Sequence, residues 1–297
     1  MVDFKKAFDI LFFLLNSNLS VLDILYVLND LKPCCRITLS QDKLILLKNF
    51  CDKNKLELGL SDYKVVPVSN RNFSESYKRV PLNFEINTKG SFHVYISKDQ
   101  EIIEKAKQFQ NEKNSSAFGK LLGYPSCCCN FFSNNESEAR LSNMDFTFFY
   151  SLSNQFFNFY NNYSLRSFDI SLLSHFPCSL DCPNSLRIAK ERSSFIKTFN
   201  PDLASSFEKH LKSCVFYTDS GIYYSSDFSS NLFSSITSLE YNNLFSKSIN
   251  SNNNSIFDFL QNNKNQKLNL KDFSQEFDII AKENSKQKNC SRIFLFN

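Results

Sequence analysis

The sequence predicts an α+β fold, with a mixed α/β N-terminal region, a helical cysteine-bearing centre and a β-rich C-terminal part. Amphipathic helical patterns alternate with short runs of β-branched and aromatic residues in the first third of the chain. In the centre, prolines and glycines stand where helices begin and end. A hairpin pattern then opens the last part. We place the predicted regions at 1–113, 114–212 and 213–297.

The N-terminal region is expected to contain several helices and two short strands. Ser20, Ser40 and Ser97 precede apolar periodic patterns and are candidate N-caps, and Pro33 follows the end of the second helix. The polar stretch 70–90 is expected to be rich in loops. The predicted elements are helices at about 3–16, 20–31, 41–53 and 98–111 and strands at 64–68 and 92–96.

Helices dominate the prediction for the central region. A helix at 115–122 is expected to end at Gly123, and the next helix to begin at Pro125. Pro201 fits the first position of the last helix, where its missing N–H has no cost. The other helices are predicted at about 145–162, 182–197 and 201–213.

The C-terminal region is expected to begin with a β-hairpin over 214–224 that turns at Asp219-Ser-Gly221. Residues 242–267 are rich in asparagine and low in complexity, which favours an expanded loop. A final strand is predicted at 292–296.

Composition and charge limit the class of protein. Of the 297 residues, 42% are hydrophobic and 22% are charged, which is typical of globular proteins. A net charge of +4 is too small to indicate a nucleic-acid-binding protein on electrostatic grounds. A weak, local phosphate contact with a nucleic acid stays open, no membrane partner is expected, and other partners are left open.

The ten cysteines are best explained by a reducing compartment. The N-terminal apolar run contains Asp9 and precedes no small-residue cleavage site, so it is interpreted as a helix rather than a signal peptide. No apolar stretch approaches the roughly 18–20 residues that span a bilayer. The sequence therefore predicts a cytoplasmic protein without a membrane segment, whose thiols are reduced or metal-bound.

Two short segments carry candidate chemistry. GYPSCCC, residues 123–129, places thiols in the first turn of the helix expected there. HFPCSLDCPNS, residues 175–185, repeats the arrangement, because Pro183 can lie only near the start of a helix. A helix N-terminus stabilises a thiolate through its free N–H groups and its dipole. If the two segments meet in the fold, they form a candidate metal site.

Spacing limits which of these side chains can bind one ion. Adjacent helical side chains diverge by about 100°, so we expect Cys127 or Cys128, rather than both, to be a ligand. Cys178 and Cys182 are four residues apart and can converge, with His175 in reach. Such ligands suit either zinc or an iron–sulfur cluster, and the spacing matches no common pattern of either kind. The other motif positions are Gly123, Tyr124, Pro125, Pro177, Asp181 and Ser185.

The remaining candidates are interpreted as structural. Cys129 is expected to pack towards Phe132, and His93 to lie in an apolar strand. Ser185 and its neighbour Asn184 could serve only to cap the helix. The basic residues Arg187, Lys190 and Arg192 are interpreted as a solvated helix face. The other thiols expected to pack are Cys34, Cys35, Cys51, Cys214 and Cys290.

The two motifs resemble those of an uncharacterised protein family found mainly in archaea such as methanogens, with some bacterial members. The resemblance rests on the GYP-x-CC element at 123–128 and the H-x-PC-x3-C-x2-S element at 175–185, and spans roughly 92–225. Position 129 departs from the family pattern, which has an aliphatic residue there, and this favours Cys129 as a packing residue. The resemblance implies no named reaction. It implies a shared site at Cys127, Cys128, His175, Cys178 and Cys182.

Three functions are compatible with these observations. The leading hypothesis is a cytoplasmic metalloprotein that binds zinc or an iron–sulfur cluster at the Cys/His site, with its reaction, and whether it is an enzyme, left open. In the second, the same thiols hold a structural zinc in an RNA-binding or protein-binding module. The third is thiol redox chemistry without a metal.

Overall fold

Helices and mostly antiparallel strands share the chain, which confirms the predicted α+β class. The computed structural model of the protein describes residues 2–67, 77–82, 90–141, 144–150, 156–218, 221–225, 238–239, 244–247, 268–269 and 292–296. The helices are α1 (Phe4–Leu15), α2 (Asn18–Leu28), α3 (Leu44–Lys53), α4 (Gln100–Asn111), α5 (Ser115–Leu121), α6 (Ser126–Leu141), α7 (Pro183–Phe199) and α8 (Pro201–Leu211). The strands are β1 (Cys34–Ser40), β2 (Glu57–Leu60), β3 (Tyr63–Pro67), β4 (Tyr77–Pro81), β5 (Ser91–Ser97), β6 (Phe156–Phe157), β7 (Cys214–Thr218), β8 (Gly221–Ser225), β9 (Ser238–Leu239), β10 (Leu244–Lys247), β11 (Leu268–Asn269) and β12 (Arg292–Phe296).

Two larger sheets organise these strands. The first has the order β1-β5-β3-β4, with β2 also paired to β5, and its pairings are antiparallel. In the second, β10-β8-β7-β12 are antiparallel neighbours, and β6 joins β12 in parallel. Strands β9 and β11 form a separate pair. Helix α4 packs on the first sheet, where Ile103 and Ala106 meet Tyr95 of β5.

The main hydrophobic core draws on all three predicted regions. Leu25 of α2, Ile96 of β5, Leu173, Ile196 of α7 and Phe294 of β12 are all buried in it. The three predicted regions therefore share one core. The boundaries between them near residues 113 and 212 stay predictions. Within the described part of the chain, every helix is too short or too polar to cross a bilayer.

Several helix caps differ from the prediction. Ser17, rather than Ser20, caps α2, and its hydroxyl accepts the Ser20 N–H at 3.3 Å. Asp99, rather than Ser97, caps α4 by accepting a backbone N–H two residues on. Ser40 makes no side-chain capping bond before the 3-10 turn that leads into α3. The local sequence offers several acceptable caps within three residues, and packing selects among them.

A distant carboxylate completes the start of α2. Asp169 accepts hydrogen bonds from the Ser17 hydroxyl and from the N–H groups of Asn18 and Leu19. Negative charge is favourable at a helix N-terminus, and these bonds satisfy groups that have no partner within the helix. Asp169 thereby ties α2 to the central region, 152 residues away from Ser17.

The prediction of a helix at 145–162 was wrong. The described part of this segment consists of 3-10 turns and strand β6. Asp145 and Asn158 each accept an N–H two residues ahead, from Thr147 and Tyr160 respectively. Such side-chain-to-backbone bonds compete with helical bonds, and here they hold the turns that replace the helix.

The strand predictions were partly right. The hairpin of β7 and β8, the final strand β12 and the strands β3 and β5 are confirmed, although Asp219 in the hairpin turn lies outside the described residues. Strands β1, β2 and β4 were missed, and β4 lies in the stretch expected to be loop-rich. Strand β10 lies within 242–267, where a loop was expected, and the rest of that segment is outside the described residues. In β1 the signal was present, since alternate residues Cys35, Ile37 and Leu39 face the core.

A left-handed glycine sets the path from α5 to α6. Gly123 has φ +80°, its N–H bonds to Lys120 O, and the Tyr124 N–H bonds to Gly119 O, both at 3.0 Å. This pair of bonds forms a Schellman motif, which confirms the predicted C-cap. The space at Gly123 also excludes a side chain, because a Cβ there would lie 2.8 Å from Pro33 Cδ.

A second close approach joins α5 to α6. A Cβ added at Gly119 would lie 2.8 Å from Cys129 Sγ. Cys129 is 3% exposed, and its thiol lies 3.6 Å from Tyr124 O. We therefore interpret Cys129 as a packing residue between the two helices.

We expect Gly119→Ala to destabilise the protein by about 1–2 kcal/mol, because overpacking against Cys129 outweighs the gain in helix propensity. In a Cys129→Ala background the sulfur is absent, so the same substitution should be neutral or stabilising. Urea unfolding of the four proteins measures this coupling. The matched control is Gly59→Ala, whose Cβ would meet Ile103 instead and which should destabilise both backgrounds alike. Equal effects of Gly119→Ala in the two backgrounds would contradict this interpretation.

Candidate metal centre

The N-termini of two helices converge on one place. Helix α6 begins at Ser126, directly after Pro125, and α7 begins at Pro183, with Cys182 in the N-cap position. Both starts lie within one residue of the prediction. Proline favours these places because its fixed φ suits the first turn and its missing N–H would have no helical partner.

Four cysteines bring their sulfurs together between these helix ends. Cys127 Sγ lies 3.8 Å from both Cys128 Sγ and Cys182 Sγ, and the last two are 3.6 Å apart. With Cys178, the four sulfurs all lie within 4.8 Å of one another. Two sulfurs bound tetrahedrally to one zinc, at about 2.3 Å each, are separated by about 3.8 Å. The cluster therefore has the donor atoms and the spacing to hold a metal ion.

The expectation that only one of Cys127 and Cys128 could join the site was wrong. Side chains on a helix tilt toward its N-terminus. In the first turn of α6 no preceding turn of helix stands in their way, so both sulfurs reach the space ahead of the helix. The 100° divergence that holds in a helix interior does not keep them apart there.

The four thiols have unequal surroundings. Cys128 and Cys182 are buried, Cys178 is half-buried and Cys127 is exposed. Cys128 Sγ lies 3.2 Å from Ser185 Oγ and accepts the Cys178 N–H at 3.4 Å. The sulfurs are thus dry on one side of the cluster and open to solvent on the other.

Hydrogen bonds divide the charge unevenly among the thiols. The bond from the Cys128 thiol, then those from the Ser185 hydroxyl and N–H, lower the pKa of Cys182 to about 4. The pKa of Cys128 is raised, because its thiol donates to Cys182 and burial disfavours its charge. Burial, and then the hydrogen bond to Cys182, raise the pKa of Cys178 to about 12. Without a metal, these bonds favour a thiolate at Cys182 and protonated thiols at Cys128 and Cys178.

His175 lies behind the thiols. Its Nε2 is 2.8 Å from Ser185 Oγ, the same hydroxyl that lies against Cys128 Sγ. His175 is 6% exposed, and burial, followed by the charges of Arg192 and Lys32, holds its pKa well below the ordinary value. A neutral imidazole thus orients the Ser185 hydroxyl from the protein side. The role of His175 as a direct ligand stays a prediction.

Tyr124 connects His175 to a buried ion pair. The two rings have their centroids 5.1 Å apart, and Lys32 Nζ lies 5.2 Å from the centre of the Tyr124 ring. Lys32 is 2% exposed and pairs with Asp23 at 2.9 Å, where Ser174 also donates a hydrogen bond. Burial alone would lower the pKa of Lys32, but the Asp23 charge, together with Tyr124 and Cys35, raises the pKa overall. The N-terminal region thereby supports the back of the site.

Two supporting residues could not be found from the sequence. Asn161 Nδ2 donates to Leu180 O at 2.9 Å and to Cys182 O at 3.2 Å. Tyr150 donates its hydroxyl to Pro177 O at 3.0 Å. Both hold the segment that carries two of the cysteines. An asparagine or tyrosine gives no local signal of a partner 19 to 27 residues away.

The prediction for the basic residues of α7 was wrong for one of them. Arg192 is 1% exposed, and its guanidinium lies 4.6 Å from the centre of the Tyr26 ring. Arg187 is exposed and pairs with Glu191, and Lys190 is also exposed, as expected of a solvated face. Arg192 instead belongs to the buried charges that surround His175.

The other motif residue and the remaining thiols and histidine lie outside the four-sulfur cluster or outside the described residues. Asp181 is exposed beside Cys182, and its part in the site stays a prediction. Cys290 lies outside the described residues. His93 is buried in β5 with its Nδ1 3.4 Å from Thr38 Oγ1, as expected of a structural histidine. Burial raises the pKa of the thiols that pack elsewhere in the fold, namely Cys34, Cys35, Cys51 and Cys214.

Residues 82–211 match the model of a family described as a protein of unknown function, DUF483. The matched segment contains all four clustered cysteines and His175, and it covers less than half of the chain. The resemblance to a family of unknown function is thereby confirmed, whereas its archaeal distribution and motif pattern stay predictions. Neither the curated proteins nor the solved structures include a match to the chain.

We expect Ser185→Ala to raise the pKa of the Cys182 thiol by about one to two pH units, because a hydrogen bond to a charged group contributes about 1.5–3 kcal/mol. Titration of the thiolate absorbance of the metal-free protein measures the shift. Ser126→Ala is the matched control, since Ser126 is exposed at the start of α6, and it should leave the titration unchanged. A Ser185→Ala protein that titrates like the unmodified chain would show that the hydroxyl does not stabilise the thiolate.

Proposed function

We propose that the protein binds a single zinc ion through Cys127, Cys128, Cys178 and Cys182. The observation that carries this proposal is the spacing of the four sulfurs, which lie within 4.8 Å of one another, with three separations of 3.6–3.8 Å. Zinc bound by four thiolates is tetrahedral and requires a separation of about 3.8 Å between its ligand atoms.

The same spacing favours a single ion over an iron–sulfur cluster. Two sulfurs on one ion can be at most about 4.6 Å apart, which is twice the metal–sulfur bond. In a cubane cluster each thiolate binds a different iron, so the ligand sulfurs must stand further apart than that. The spacing of the four sulfurs, all within 4.8 Å, therefore supports a single ion rather than a cluster.

The electrostatic surroundings also suit such a centre. Four thiolates and one zinc(II) carry a net charge of −2, which is costly to bury without compensation. The N-termini of α6 and α7 offer partial positive charge and free N–H groups. The Cys178 N–H donates a hydrogen bond to the buried Cys128 sulfur, and the Ser185 hydroxyl lies 3.2 Å from it.

A zinc ion at this place would join α6 to the segment 178–182 and to α7. Structural zinc sites contribute directly to the free energy of folding, because the site does not exist in the unfolded chain. We also propose a cytoplasmic location, supported by the nine described cysteines, all of which are free thiols.

One observation supports a second candidate, a metal-free thiol redox protein. Cys182 carries a thiol whose pKa is lowered to about 4, and the exposed Cys127 sulfur lies 3.8 Å away. A stabilised thiolate beside an accessible thiol is the arrangement of thiol–disulfide exchange. The gathering of four sulfurs, where exchange needs two, favours the metal.

We expect protein purified without oxygen to be colourless and to contain one zinc per chain. Cys178→Ser should lower the zinc content and the free energy of unfolding together, because it removes a ligand, whereas Cys51→Ala, remote from the site, should retain the zinc. Elemental analysis and urea unfolding measure both. Iron with acid-labile sulfide would contradict the single-ion proposal, and protein without any metal would favour thiol redox chemistry.

We expect zinc affinity to fall by at least about a hundredfold for each pH unit below neutral, because zinc must displace protons from Cys128 and Cys178, whose pKa values are raised. Each displaced proton contributes about a factor of ten per pH unit. Competition with a chelator between about pH 6 and pH 8 measures the slope. Cys178→Ser removes one displaced proton, so the fall in zinc affinity for each pH unit should become about ten times smaller. A zinc affinity that does not change with pH would mean that the thiols are already ionised without the metal.

A further inference from the structure

The four sulfurs of the cluster differ in how strongly the protein holds them. Cys128 is buried, accepts the Cys178 N–H and lies against the Ser185 hydroxyl. Cys182 is also buried and receives both the hydroxyl and the N–H of Ser185. The protein therefore surrounds two of the thiolates with hydrogen-bond donors and excludes water from them.

Cys127 has the opposite environment. It is exposed, whereas Cys178 is half-buried. Within the described part of the chain, its sulfur has one donor that is not a thiol, Asn184 Nδ2, at the long distance of 3.6 Å. Asn184 is itself exposed, so it leaves the sulfur open to molecules from solvent.

Thiolate reactivity follows from these differences. The thiolate is the nucleophilic form of cysteine, and hydrogen bonds that stabilise its charge reduce its tendency to attack. A bound zinc ion would keep all four sulfurs ionised, so that the contrast among them would depend on donors and on access. Cys127 combines a single long contact from a donor that is not a thiol with the greatest access to solvent.

We propose that Cys127 is a nucleophile of the zinc-bound site, which accepts an alkyl group from a small electrophile. This inference rests on the proposed zinc binding. In the step, a lone pair of Cys127 Sγ forms a bond to the electrophilic carbon, and the bond from that carbon to its leaving group breaks. The leaving group departs with the electron pair of the broken bond, so the thiolate becomes a thioether and no oxidant or reductant is needed.

The charge of the site defines the class of substrate. The zinc-bound cluster carries −2, and Asp181 adds an exposed carboxylate next to Cys182. A neutral or cationic alkyl donor can approach this surface, whereas an anionic donor is repelled. We therefore assign small neutral or cationic alkyl electrophiles as substrates.

The test is competitive alkylation of the zinc-loaded, full-length protein by limiting iodoacetamide, followed by peptide mass spectrometry. Cys127 should react about tenfold faster than Cys178, because its sulfur is exposed whereas that of Cys178 is half-buried. The anionic reagent iodoacetate should react more slowly with Cys127 by a larger factor than with free cysteine in the same buffer. Zinc content is measured on the same samples.

Asn184→Ala provides a second test, because a purely structural role of Cys127 predicts no change in its alkylation rate. Loss of the amide donor should raise the alkylation rate of Cys127 by about two- to fivefold and leave the zinc content unchanged. Asn130→Ala, on the exposed face of α6, is the matched control and should leave the rate unchanged.

The outcomes separate this inference from the zinc proposal. Protein that contains zinc but alkylates Cys127 no faster than Cys178 overturns the nucleophile and leaves zinc binding standing. Alkylation that appears only after zinc is lost also overturns it. Protein that never contains zinc overturns the zinc proposal, and the inference with it.

Discussion

Two helices that point their positive ends at the same place repel one another unless negative charge lies between them. Helices α6 and α7 are in this position, because their first turns both carry cysteines of one cluster. Thiolate sulfur supplies the missing charge, and the free N–H groups of the helix ends supply the donors that thiolate needs. The approach of the two helix ends and the stability of the thiolates therefore favour one another.

Buried charges hold the other side of the site. Asp23 comes from α2, Lys32 from the segment before β1, and Arg192 from α7. Removal of one member of such a group leaves an uncompensated charge in the interior, which costs about 3–5 kcal/mol. The group fixes Tyr124, and through it the ring of His175, so the hydroxyl that faces the sulfurs is oriented from a distance.

Features with a local steric cause were predictable from the sequence. Gly123 and Pro183 act within a few residues of themselves, and both lie where the pattern placed them. The role of Ser185 was missed, because its hydroxyl joins His175 to a cysteine 57 residues away, and its position also suits a helix cap. The prediction of a helix at 145–162 was wrong for a related reason. Polar side chains there form hydrogen bonds to the backbone, and the spacing of apolar residues does not reveal them.

The packing also bears on how this chain can be divided. The family match covers residues 82–211, yet β5, inside it, takes its strand partners β1, β2 and β3 from residues before 82. The core that α7 shares with α2 and β12 likewise crosses both limits. An excised 82–211 segment would present an unpaired strand and bare apolar faces, which favour aggregation. The segment that matches the family model is thus not a portable module, and gene rearrangement could move it intact only together with its flanking helices and strands.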